Sequence, residues 1–84
     1  MKVTVVRSGG FAGIEQRGQS DSATDPMLTR LVDRVDLASV PPPGRRPDQF
    51  LYEIDIDGDT ATVGEAQLNG PLRELVHHVL GQGR

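Results

Sequence analysis

"FLYEIDIDGDTATV", residues 50–63, decides the fold. Phe50, Tyr52, Ile54 and Ile56 alternate with Glu53, Asp55 and Asp57, the period-two pattern of a strand with one covered and one wet face. Asp57-Gly58 is a two-residue hairpin signal. With that pair at the turn, Ile54 falls opposite Ala61 and Tyr52 opposite Val63. The apolar face then runs unbroken into the second strand.

Outward from this hairpin the period changes. Downstream, "NGPLRELVHHVLGQG" carries a helix start, with Gly70 or Asn69 capping and Pro71 in the first turn. Leu72, Leu75, Val76, Val79 and Leu80 form an apolar stripe that Gly81 is expected to end. Upstream, "VPPPGRRPDQ" cannot be helical, because its prolines remove donors and extend the residues before them. It reads as a connector within one domain, 1–84, since neither side could bury a core alone.

Before the connector, Asp25 and Pro26 open a helix whose Leu28, Leu31, Val32 and Val35 share one face, leaving Arg30, Asp33 and Arg34 to solvent. The β-branched residues 1–8 and the segment 13–20 form a first hairpin, with Val3 and Val5 on one face and Thr4 and Val6 on the other. The order is ββαββα. An α+β fold follows, a four-stranded antiparallel sheet with two helices packed on one face.

At 84 residues the chain buries only a little over about 60% of its unfolded surface,. A 36% hydrophobic content still supports a folded domain. There is no Cys, which removes disulfide and zinc-ribbon scaffolds and fits a reducing compartment,. "MKVTVV" is too short for a secretory or membrane segment, so a soluble cytoplasmic protein is expected, away from membranes. The net charge of −3 argues against nucleic-acid binding,. Arg45 and Arg46, the one adjacent basic pair, lie in the connector without an aromatic platform.

Catalytic and metal patterns are weak. "EIDIDGDTATVGE" resembles a calcium loop only in part: aligned on Gly58 it places Asp55 and Asp57 but puts Gly64 where the bidentate Glu belongs. His77 and His78 are adjacent on a helix, about 100° apart, and read as a surface pair beside the stripe instead of metal ligands. No nucleophile elbow or P-loop is present. The chain is read as a non-enzyme without a cofactor.

"RSGGFAGI", residues 7–14, stands apart. Gly9, Gly10 and Gly13 permit positive φ and close backbone approach, so the segment suits a hairpin connection with Phe11 folded inward. A turn and a binding edge do not exclude each other.

This Arg-x-Gly-Gly-Phe-Ala-Gly-Ile core, within "MKVTVVRSGGFAGIEQRG", resembles the emfourin family, inhibitors of thermolysin-like zinc metallopeptidases. The similarity continues through the Asp-containing loop and helix at 21–38, the Pro-rich connector, "PDQFLYEIDIDG" at 47–58 and "GPLRELVHHVL". The resemblance implies a small bacterial cytoplasmic inhibitor, often encoded beside a protealysin-like peptidase and blocking its active-site cleft. The zinc would belong to the partner, and the inhibitor is read as a monomer.

Two edges then offer themselves. Thermolysin-like enzymes prefer a bulky apolar residue just after the scissile bond, so Phe11 could occupy that pocket, flanked by Gly9, Gly10, Ala12 and Gly13. The rival edge is "SDSATD" with Asp21, Ser22 and Asp25, where a carboxylate could approach the zinc. Arg7 could pair with either aspartate. The competing function is an interaction module without inhibitory activity, recruiting a partner through a sheet edge or "PPPGRRP".

Overall fold

A computed structural model describes residues 1–9, 15–41 and 49–82. Its elements are β1 (Lys2–Gly9), β2 (Gln16–Asp21), α1 (Pro26–Asp33), β3 (Phe50–Ile56), β4 (Asp59–Gly64) and α2 (Gly70–Gln82). Short 3-10 turns, Leu37–Ser39 and Glu65–Gln67, follow α1 and β4. The ββαββα order is the expected one. The second strand starts three residues later than the sequence pattern suggested, and α2 runs through Gly81 to Gln82 instead of stopping there.

Among the described residues all strand pairs are antiparallel, in the order β2-β1-β3-β4. The two hairpins are joined by β1 and β3, through pairs such as Val5 with Ile54. Composition explains which strands lie inside. The β-branched run in β1 suits a position paired on both sides, whereas "QRGQSD" in β2 is polar enough to stand at an edge. At the β3–β4 turn Asp57 and Gly58 both take positive φ, 51° and 95°, as a two-residue hairpin turn requires,. Ile54 pairs with Ala61 and Tyr52 with Val63, as the alternation predicts.

One face of the sheet carries the core. Val3, Val5, Tyr52, Ile54 and Val63 are buried on it beneath Leu28 of α1 and Leu75, Val76, Val79 and Leu80 of α2. The two helices contribute unequally. Four residues of α2 are buried but only Leu28 of α1, whose Leu31, Val32 and the following Val35 are partly covered. α2 lies across β2 and β1, and α1 packs beside it.

The reason α2 sits so low is Gly18. It pairs with Val5 in the core-facing row of β2, and a Cβ built there would fall 2.7 Å from the Leu80 Cα and 2.9 Å from the Val79 carbonyl carbon. Both are backbone atoms of α2, so no side-chain rotation relieves the clash. The strand and helix main chains touch because nothing stands between them.

Two glycine replacements should therefore act with opposite sign. Gly18→Ala is expected to cost about 1–3 kcal/mol by prising α2 off β2. Gly81→Ala meets open space within a helix and should stabilise by up to about 1 kcal/mol,. Urea unfolding followed by circular dichroism measures both; a neutral Gly18→Ala would refute the backbone contact.

Candidate partner-binding edge

The two edges singled out in the sequence lie at opposite ends of the sheet. Arg7 pairs with Gln16 at one end of the first hairpin and Lys2 with Asp21 at the other. Five residues separate these rungs, about 17 Å along a strand. Arg7 therefore has no reach to Asp21 or Asp25, and the expected ion pair is replaced by a cation–π contact: its guanidinium carbon lies 4.7 Å from the centre of the Phe50 ring.

At the Asp21 end the polar groups serve one another. Lys2–Asp21 closes the ladder, the Ser22 N–H donates to the Met1 carbonyl at 2.9 Å, and the Met1 ammonium donates to Ser22 Oγ at 3.2 Å. An Asp21 carboxylate oxygen accepts from the Ala23 N–H at 2.9 Å, an Asx turn that starts the "SDSATD" bend,. Asp25 occupies the position before α1, and Pro26 opens the helix as expected. Its carboxylate, however, does not cap the helix.

That carboxylate turns inward instead. Ser20 Oγ donates to Asp25 Oδ2 at 2.8 Å, and His78 Nε2 lies 2.5 Å from the same oxygen. The expectation of two surface histidines thus holds for His77, which is exposed, and fails for His78, which is half-buried against Asp25. The low seat of α2 on Gly18 brings His78 down to the start of α1. Three elements, β2, α1 and α2, meet on one carboxylate oxygen.

The bond to His78, then that to Ser20, holds the Asp25 carboxyl below its ordinary 3.8,. A carboxyl depressed in the folded state stabilises the fold above its unfolded value and ceases to do so as pH falls through the folded one. Although Ser, Asp and His meet here, hydroxyl and imidazole both address Asp25, and no hydrogen bond joins Ser20 to His78 that would activate the serine.

Two acidic residues of the calcium-like stretch also hold backbone N–H groups of the sheet and its turn. Asp57 accepts the Lys2 N–H at 2.8 Å, and Asp55 accepts the Gly58 N–H at 2.9 Å. Among the described residues no three His, Cys, Asp or Glu side chains are grouped to hold a metal ion. Nor is any described helix long and apolar enough to cross a membrane.

The opposite end is built differently. Gly9 extends β1 one rung past Ser8 to pair with Phe50, at a φ of +89°. A Cβ there would be strained and would sit 2.8 Å from the Gln49 carbonyl oxygen. The chain leaves the sheet at Gly9 and returns at Gln16. Gly10, Phe11, Ala12 and Gly13 lie outside the described residues, and their anchors on both sides lie within them.

Sequence reading missed two features. The Ser20–Asp25–His78 cluster joins residues 53 positions apart, and no local pattern announces it. Gly18 could have been found, since an isolated glycine inside a strand often marks close backbone approach.

Comparison with known proteins gives a family match: the Emfourin family model covers residues 5–80, taking in both ends of the sheet. No curated protein and no solved structure matches the chain.

Replacing Asp25 by Asn should lower urea stability at pH 6, where the wild-type carboxylate is ionised. The gap between the two proteins should close as pH falls below about 3.8, because protonation abolishes the wild-type advantage. Unfolding curves from pH 6 to pH 2.5 provide the check; a gap independent of pH would contradict the assignment.

Proposed function

The chain belongs to the Emfourin family, and from that membership we propose that it is a protein inhibitor of thermolysin-like zinc metallopeptidases of the protealysin type. It occludes the active-site cleft reversibly, supplies no metal of its own, and uses the Gly9–Gly13 connection as the inserted edge. The family match over nearly the whole chain carries this reading.

The geometry supports choosing this edge over its rival. A glycine-rich segment loses conformational entropy on binding, a cost reduced when its ends are already held. Here β1 is paired up to Gly9 and β2 from Gln16, leaving residues 10–15 between the two anchors. Phe11 is then the residue presented to an apolar pocket next to the scissile position. At the other end, Asp25 is engaged with Ser20 and His78, and Asp21 and Ser22 stabilise their own bend. A carboxylate withdrawn from those bonds would cost the fold what it gives the zinc.

Peptide hydrolysis by thermolysin and by a protealysin-like peptidase, titrated with the purified protein at several substrate concentrations, tests the proposal. Saturating inhibition that substrate relieves is expected. Phe11→Ala should weaken it at least about tenfold, as removal of an aromatic anchor does. Asp21→Ala should change it less than about threefold. Equal loss in both variants would move the inserted edge to the other end, and no inhibition at micromolar wild-type protein would favour an interaction module.

A further inference from the structure

The core-facing row at the Gly9 end of the sheet runs Gln16, Arg7, Tyr52, Val63. Tyr52 and Val63 are buried, as that face demands. Arg7 puts a permanent charge in the same row, half-buried, and a charge so placed is normally paired,.

Its compensation is incomplete. The Phe50 ring covers the guanidinium at 4.7 Å, but a ring face does not hydrogen-bond the N–H groups that lie in the guanidinium plane. Arg7 Nε is shut off from solvent and has no hydrogen-bond partner among the described residues. Among the described residues no carboxylate lies within 4.0 Å of the group; the ion pairs there are Arg34–Glu74 and His78–Asp25.

Arg7 also lines an open notch of about 350 Å³, together with Gln16, His77, Leu80 and Gly81. Its polar lining offers N–H donors, from the guanidinium, the Gln16 amide and the His77 ring, and no acidic side chain among the described residues. The volume far exceeds what a carboxylate needs, since a water molecule occupies about 30 Å³. The notch adjoins the last rung before the Gly9–Gly13 connection. A partner seated on that connection would cover it.

We propose that this notch receives a carboxylate from the bound peptidase, an Asp or Glu side chain beside the cleft, which pairs with Arg7. This rests on the inhibitor reading above and assigns its electrostatic contact. Arg suits the role because its planar fork can hold both carboxylate oxygens, whereas Lys offers a single point charge. The pairing meets Arg7 from the open side of the notch, where the described residues supply no carboxylate.

The inhibition constant of wild type, Arg7→Met and Arg7→Lys, measured from 20 to about 300 mM salt, tests the pairing. Arg7→Met retains the apolar stem over Phe50 and should bind at least about tenfold more weakly, with a flatter salt dependence. Arg7→Lys should recover part of the loss. A folded Arg7→Met with wild-type inhibition and salt dependence would overturn the proposal.

A second measurement needs neither a variant nor inhibition. Sodium acetate titrated into the free wild-type protein against sodium chloride at equal ionic strength, followed by NMR of the Arg7 Nε–H and Gln16 side-chain amide, should give saturable, acetate-specific shifts. Their absence would overturn the notch as a carboxylate site. If wild type fails to inhibit while those shifts appear, the inhibitor reading and the assignment to a peptidase carboxylate fall, and the notch alone stands.

Discussion

The contact of the α2 backbone with Gly18 is the constraint on which the rest of the molecule depends. It seats α2 across β2 and β1 at a height that any side chain at position 18 would prevent. From that seat Leu75, Val76, Val79 and Leu80 cover the inner face of the sheet, and His78 meets Asp25 at the start of α1. The same seat sets Leu80 and Gly81 beside Arg7 and Gln16. A small domain with one covered sheet face has few apolar contacts to spare, so the closeness of this single crossing matters more than it would in a larger core.

The two ends of the sheet consequently have different characters. At the Lys2–Asp21 end the hydroxyls and carboxylates answer one another and the chain terminus, in a network whose energy goes into the fold. At the Gly9 end a guanidinium is held over an aromatic ring with its Nε–H unmade, beside a glycine-rich connection anchored on both flanks. Internal satisfaction suits a structural corner, while incomplete satisfaction suits a surface that a partner completes. About 17 Å of strand separates them.

Much of the architecture was legible because it rests on local periodicity. Tyr52, Ile54 and Ile56, with Asp57-Gly58 behind them, dictate a strand, a turn and a register whatever the rest of the chain does. The stripes on α1 and α2 likewise declare their covered faces, and Pro26 and Pro71 mark where the helices begin. The element order and fold class follow from these short-range signals, as does the sharing of one face by Val3 and Val5; that this face is the buried one comes from the structure. The motif "RSGGFAGI", together with the stretches that follow it, resembles the Emfourin family, whose model covers residues 5–80.

Local pattern in the sequence fixes the order of the strands and α-helices and the apolar faces of the β3–β4 hairpin and of the two helices. Pattern at separations of two to four residues is enough to state these, since helix and strand periods are properties of the backbone. Tertiary structure alone decided the order β2-β1-β3-β4, the parting of the two candidate edges, and the partners of His78 and Arg7. Those depend on which elements lie side by side. Asp25 could cap its own helix or turn to a histidine 53 residues away, and only the height of α2 above Gly18 selects the second.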